Sequence, residues 1–182
     1  MRYLFRKHGL EVIDVTAQPV HGGSMRYVIA HRGKVEVSQR VLAQRAREKK
    51  LGLHALETYE RFRCDVERSR DQLVRLLNNL KDQEKRVVGY AATSKNTTVI
   101  NFCQLTDELL EFISDTTPIK QGKFSPGSHI PVKPHQDFSA DYPDYALLFG
   151  WNHAEEIIAK EQEFKTVGGK WIVYVPKVQV LE

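Results

Sequence analysis

Two short segments near the amino end alternate apolar and polar residues, a pattern typical of β-strands. They cover residues 11–17 and 24–30, with a proline and two glycines between them, which predicts two neighbouring strands joined by a turn. Residues 3–8 resemble the last turns of a helix ending at Gly9, a residue type that commonly caps helices. An isolated hairpin is marginal in water. These residues therefore either pack on the next part of the chain or have lost the sheet to which they belonged.

From residue 37 to residue 80 the apolar positions recur at three- and four-residue steps, which predicts helices with a break at Gly52. The opposite face is rich in Arg, Glu and Asp. We interpret this stretch as a packing helix that also links two parts of the chain, because no chemistry requires its residues.

Beyond residue 85, short apolar runs alternate with helical patterns, as in a βαβ fold. Strands this apolar are typical of a parallel sheet covered on both faces. The predicted strands are 86–90, 111–115, 145–151 and 170–175, and the predicted helices are 96–103 and 153–166. The predicted fold class is α/β, a Rossmann-like open and mostly parallel sheet with flanking helices over residues 83–182. A hairpin remnant (1–35) and a helical connector (36–82) precede it.

Composition places the chain among ordinary globular proteins, with 182 residues, 41% hydrophobic and 27% charged. This excludes disordered and collagen-like chains. No apolar run reaches the ~18 residues that a bilayer span needs, and no signal-peptide core is evident, so we expect a cytoplasmic protein without a membrane partner. Cys64 and Cys103 show no ligand spacing, so neither a metal nor a disulfide is expected.

The net charge of +4 is unevenly distributed. Residues 1–50 carry 11 Lys and Arg against 4 Asp and Glu, whereas the remainder is net negative. Several of these cations lie within a helical pattern and form an ordinary solvated face. We therefore do not expect nucleic-acid binding.

The most informative stretch is 87–99, VVGYAATSKNTTV, where a buried strand leads through small and hydroxylic residues into a helix. A helix N-terminus favours an anion, and Thr93, Ser94 and Lys95 add donors and one charge. The alternative is a tight turn with a capped helix, since no glycine-rich phosphate motif is matched. Asp115 ends the next strand, where an acid could bind a ribose hydroxyl or simply open a turn.

Other candidates lie in turns and at strand ends. Trp151 and His153 offer an aromatic platform and a donor after the third strand, and Asn152 between them is a natural helix N-cap. His129 lies in the loop-rich segment 116–134, where it faces either a ligand or a turn. His21, followed by Gly22 and Gly23, is a hairpin turn by default, with an imidazole free to titrate or donate.

The order of several motifs resembles the sugar C-methyltransferases, above all the TDP-sugar 3-C-methyltransferases that make branched deoxysugars such as tetronitrose. The motifs are HGGSMRY at 21–27, GYAATSKNTTVINF at 89–102, DTTPIKQGKFSPGSHIPVKP at 115–134, YALLFGWNHAEEIIAKEQEF at 145–164 and GGKWIVYVP at 168–176. Members of that family have a zinc-binding domain, an S-adenosylmethionine domain and a Rossmann-like C-terminal domain. The resemblance implies that this chain holds the closing hairpin of the S-adenosylmethionine domain and the whole Rossmann-like C-terminal domain.

The resemblance implies methyl transfer from S-adenosylmethionine to C3 of a TDP-4-keto-deoxysugar, with the missing domains supplied upstream or by a partner chain. The family's base lies in a Glu-His motif that is absent here. We therefore expect the chain alone to bind S-adenosylmethionine poorly and not to turn over. The same resemblance assigns the 89–97 loop, including Tyr90, and residues 151–153 to the sugar-nucleotide site, approached by His21 and its glycines. Where relatives read GYGA, this chain has alanine at Ala91. The alternative function is a stand-alone, non-catalytic nucleotide or nucleotide-sugar binding module.

Overall fold

The computed structural model describes residues 1–181, which form two compact units, Met1–Cys64 and Asp65 onward. The division falls inside one long helix, so the predicted connector contributes to both units. The boundaries expected at residues 35 and 82 stay a prediction about the organisation of a longer enzyme. Within residues 1–181, no helix is long and apolar enough to cross a membrane.

The first unit contains the predicted hairpin. Its elements are α1 (Arg2–Lys7), β1 (Leu10–Gln18), β2 (Ser24–His31), α2 (Gln39–Lys50) and the start of α3 (Leu56–Asp82). The two strands pair antiparallel, and α1 is followed by Gly9 at φ +66°, which confirms the glycine predicted at its end. Val12, Val15 and Val41 form a small core. The hairpin thus packs on α2. This agrees with the first alternative given by the sequence, that these residues pack on the next part of the chain.

The second unit is built on a six-strand sheet with the order β5-β4-β3-β6-β7-β8. All neighbouring strands are parallel except β7 and β8. After α3, its elements are β3 (Val87–Tyr90), α4 (Ser94–Cys103), β4 (Ile113–Ser114), β5 (Val132–Lys133), α5 (His135–Ala140), β6 (Tyr145–Leu148), α6 (Ala154–Lys160), α7 (Gln162–Thr166), β7 (Lys170–Val173) and β8 (Gln179–Leu181). The predicted α/β class with a mostly parallel sheet is confirmed.

The structure corrects several predicted boundaries. The strand predicted over 145–151 ends at Leu148, and a single 3₁₀ turn, Trp151–His153, follows it. Asn152 is therefore inside that turn and is not the N-cap of α6, a position that His153 occupies. The helix predicted over 153–166 is two helices that meet at Glu161. The short strands β5 and β8 were not predicted.

Apolar layers cover both faces of the sheet. On one face, Leu73, Leu77 and Leu80 of α3 pack with Ile100 of α4. On the other, aromatic rings dominate, including Phe138, Phe164 and Trp171. Such double coverage explains why the central strands read as continuous apolar runs.

Gly89 lies within β3 and not in the turn that follows it. A methyl group there would approach the Phe149 ring to 2.7 Å and Ile113 to 3.0 Å. The glycine of the 87–99 stretch therefore serves packing of the sheet, not the approach of a ligand.

One carboxylate is buried in the aromatic layer. Glu161, 4% exposed, accepts a 2.7 Å hydrogen bond from the Tyr90 hydroxyl and lies 2.9 Å from His135 Nε2. Burial, followed by the hydrogen bond to Glu161, raises the pKa of Tyr90 far above its ordinary value. The phenol thus remains a donor that satisfies the buried acid.

Candidate functional site

The strand order reverses at the centre of the sheet. From β3 the chain moves outward to β4 and β5, and then returns to place β6 on the other side of β3. In open parallel sheets, ligands bind beside such a reversal, at the carboxyl ends of the strands. Here that position lies between the loop after Tyr90 and the loop after Leu148, which are aligned in register.

The loop after β3 makes a tight turn at Ala91. This residue has φ +71°, in the left-handed region that favours glycine. Its N–H donates to the Ser114 carbonyl (2.8 Å), and its methyl group faces Gly150, where an added Cβ would lie 3.5 Å away. The turn brings Thr93 to the position before α4 without a side-chain cap bond. Asn96 N–H donates to the Thr93 carbonyl (3.1 Å), which leaves the N–H groups of Ser94 and Lys95 at the start of α4 for an anion.

Three of the predicted site residues meet at the reversal point. Lys95, in the first turn of α4, donates from Nζ to Asn152 Oδ1 (2.9 Å). The same ammonium lies 5.8 Å from the centre of the Trp151 ring. Neighbouring His153 is exposed, with Nδ1 3.7 Å from Glu156 Oε2. The cluster offers a cation, an amide and an aromatic face side by side.

Asp115 stabilises this region from within. Its Oδ2 accepts the Ala92 N–H (2.7 Å) and Lys120 Nζ (3.2 Å), and its Oδ1 accepts the Thr117 N–H (2.8 Å). Burial opposes ionisation of this carboxyl, but the bonds from Thr117 and Lys120 outweigh it, so the pKa of Asp115 lies below its ordinary value. These contacts are those of the turn-opening alternative, and they occupy the oxygens that a ribose would need.

A cleft of about 370 Å³ opens beside the start of α4. Polar groups on its wall include Thr93, Ser94, Thr97, Lys120, Lys123 and Ser125. Apolar side chains complete it, namely Ala92, Ile119, Phe124, Pro126 and Val132. The lining thus combines hydroxyl and ammonium donors with apolar surface, and within the described residues it contains no carboxylate or imidazole.

The second wall of the cleft is the 119–126 loop, which hydrogen bonds hold in a fixed shape. Val132 N–H donates to the Lys123 carbonyl (2.8 Å), and Ser125 N–H donates to the Ile130 carbonyl (2.8 Å). Asn101 of α4 donates to the Pro126 carbonyl (3.0 Å). Gly127, at φ +85°, comes so close that a methyl group there would lie 2.1 Å from Asn101 Oδ1. The loop is therefore fastened to α4 at a defined distance.

The remaining predicted residues lie elsewhere. Tyr90 packs in the aromatic layer, so its hydroxyl could reach a ligand only by leaving Glu161. His129 is exposed, with φ +57°, and is absent from the cleft wall as far as residues 1–181 show. His21, Gly22 and Gly23 form the β1–β2 turn of the first unit. Thr93, Ser94 and Lys95 lie at the start of α4, as predicted.

Sequence reasoning missed Lys120, Lys123 and Ser125. The 116–134 segment was identified as a ligand-binding loop, but only its histidine was selected. The available signal was the spacing of Lys120 and Lys123, two lysines three residues apart in the segment that follows β4. Ser125 carried no signal, because a buried hydroxyl in a loop depends on tertiary packing.

Comparison with known proteins agrees with this architecture. A family model described as the C-methyltransferase C-terminal domain matches residues 19–176. The chain is also similar to C-methyltransferase NovU of Streptomyces niveus, with 39% identity over 179 residues, covering 98% of this chain and 43% of that relative. It thus spans less than half the length of the curated relative. The match over most of the chain shows that it belongs to the C-methyltransferase family, as a C-methyltransferase C-terminal domain.

Proposed function

We propose that this chain is the C-terminal part of an S-adenosylmethionine-dependent sugar C-methyltransferase that acts on a TDP-4-keto-deoxysugar. In that enzyme the chain contributes binding of the nucleotide sugar. The observation that carries the proposal is the cluster of Lys95, Asn152 and Trp151 at the reversal point of the sheet. A cation, an amide and a half-buried aromatic ring are groups that can recognise a sugar phosphate ester.

The chemistry of methyl transfer supports a binding role for these residues. Methylation at C3 of a 4-keto sugar requires a base for the C3 proton and stabilisation of the resulting enolate. The cleft wall supplies donors but, within the described residues, no carboxylate or imidazole that could take the C3 proton. S-adenosylmethionine would supply the methyl group in the complete enzyme. This chain would hold and orient the substrate.

Binding of TDP-glucose, a stable stand-in for the ketosugar, tests the proposal by calorimetry. We expect measurable affinity, with the Kd raised about tenfold in Lys95→Ala, the loss of roughly one charge-assisted hydrogen bond. Lys160→Ala is the matched control, because Lys160 is exposed at the far end of α6.

Two results would overturn the proposal. One is the absence of TDP-glucose binding to the wild-type chain. The other is equal affinity for the wild type and Lys95→Ala. S-adenosylmethionine is titrated separately. Tight binding of that cofactor, or turnover of a TDP-ketosugar by the chain alone, would refute the partial role.

A further inference from the structure

We propose that the cleft between the start of α4 and the 119–126 loop is a subsite for a diphosphate group, which Lys123 and Ser125 bind. Its assignment to the diphosphate of a nucleotide sugar rests on the proposed function. The 119–126 loop thereby forms a second wall of the site, within the 116–134 segment where the sequence pattern pointed only to His129.

Ser125 is the strongest evidence for a ligand. The residue is 3% exposed and lies on the cleft wall. Its hydroxyl is buried without a hydrogen-bond partner in the described part of the chain. Thr93, on the facing wall, has the same unsatisfied hydroxyl. Because buried polar groups are nearly always paired, two unpaired hydroxyls on residues that line one cleft support a polar occupant there.

The charge of the wall selects an anion. Lys123 forms no ion pair within residues 1–181, so its ammonium is free to meet a ligand. Lys120 beside it is held by Asp115, whose side chain is 6% exposed. That carboxylate is already balanced by Lys120 and two backbone N–H groups, so it opposes an anion little. The balance of charges on this wall is therefore positive, which favours a doubly negative phosphate ester.

The start of α4 contributes to the same site. Thr93, Ser94 and Thr97 line the cleft, and α4 has ten residues, with no side-chain cap at its first turn. Backbone N–H groups and the positive end of the helix dipole therefore face the side on which Lys123 and Ser125 lie. A group with several acceptor oxygens, such as a diphosphate, can bond to both walls at once.

The cleft is built before a ligand arrives. The bonds from Asn101 to Pro126 and across Lys123 and Val132 fix the second wall relative to the first. Binding then costs little ordering of the loop, which favours affinity for a small anion.

Titration with inorganic pyrophosphate, thymidine and thymidine diphosphate (TDP) tests the subsite in the full chain. We expect pyrophosphate and TDP to bind. Their Kd should rise about tenfold in Lys123→Ala and recover in Lys123→Arg, which retains the charge. The affinity for thymidine should be the same in the wild type and in both Lys123 variants. Lys160→Ala, as before, should bind like the wild type.

Ser125→Ala separates binding from folding. An orphan hydroxyl contributes nothing to the stability of the free protein, so its removal should leave the melting temperature unchanged or raised. The Kd for pyrophosphate should nonetheless rise several-fold. A variant that binds pyrophosphate like the wild type would overturn the inference.

The two proposals fail differently. If TDP-glucose binds and depends on Lys95 but not on Lys123, the subsite is refuted and the proposed function stands. If pyrophosphate binds through Lys123 while TDP-glucose does not bind, the anion subsite is supported and the proposed function is refuted.

Discussion

Replacing Ala91 by glycine should stabilise the second unit, contrary to the usual effect of a glycine. Ala91 has φ +71° in the turn that leads from β3 towards α4. A Cβ in the left-handed region costs about 1–2 kcal/mol. Glycine avoids that cost but raises the entropy of the unfolded chain, which offsets about 0.4–1 kcal/mol. It also loses the contact of a half-buried methyl group with the aromatic layer. The net expectation for Ala91→Gly is a gain of up to about 0.5 kcal/mol.

The neighbouring Ala92→Gly is the matched control. Ala92 is not among the positive-φ residues, and its methyl group packs against the apolar layer beneath α4. Glycine at this position loses the packing of the methyl group and raises the entropy of the unfolded chain, so the unit should be destabilised by about 1 kcal/mol. Both methyl groups are half-buried and pack against an apolar layer, so the two substitutions differ chiefly in backbone conformation.

Tryptophan fluorescence in a thermal or urea melt measures both variants. The chain's two tryptophans, Trp151 and Trp171, lie in the second unit, so the signal reports on that unit. Ala91→Gly should raise Tm by up to about 2 °C, and Ala92→Gly should lower it by about 2–4 °C. If Ala91→Gly destabilises the unit as much as Ala92→Gly does, the strained turn at the site is refuted.

Three further predictions concern polar groups and a close approach in the second unit. Tyr90→Phe should cost about 1.5–3 kcal/mol, because buried Glu161 loses the Tyr90 donor and keeps only His135 as a described partner. Tyr174→Phe, which removes a hydroxyl without a described partner, should cost nothing in the same urea melt. Asp115→Asn should destabilise the unit at neutral pH. Since the pKa of Asp115 is lowered on folding, its contribution is fully present above the ordinary carboxyl pKa and is lost progressively as the pH falls from there through the lowered pKa. Melts from pH 7 to pH 3 should therefore converge for wild type and variant, and parallel curves would contradict this. Gly127→Ala should cost more than about 1 kcal/mol through its positive φ and its 2.1 Å clash, and an unchanged Tm would show that the loop is not fastened there.

The fold could be predicted because its signals are local. The four principal parallel strands read as apolar runs, and Gly9 marked the end of a helix. β5 and β8 have two and three residues, too few to show a period. Their pairing depends on neighbours distant in sequence, so no local pattern could reveal them.

The candidate site was predicted only in part, for a similar reason. Residues in the segments that follow strand ends, such as Lys95 and Trp151, could be predicted because sheet topology places those segments together. Glu161 looked like an ordinary acid of an exposed helix, since its partners, Tyr90 and His135, lie 71 and 26 residues away. The orphan hydroxyl of Ser125 is likewise a product of tertiary packing.

The most direct test of nucleotide-sugar binding is a map of TDP binding by amide chemical shifts of the ¹⁵N-labelled chain. Binding at the carboxyl edge of the sheet predicts shifts concentrated in residues 91–97, 119–126 and 150–153. It also predicts that Lys123→Ala diminishes the 119–126 shifts. Shifts confined to the amino edge of the sheet or to the first unit, or no shifts in excess TDP, would contradict the claim that this domain grips a nucleotide sugar.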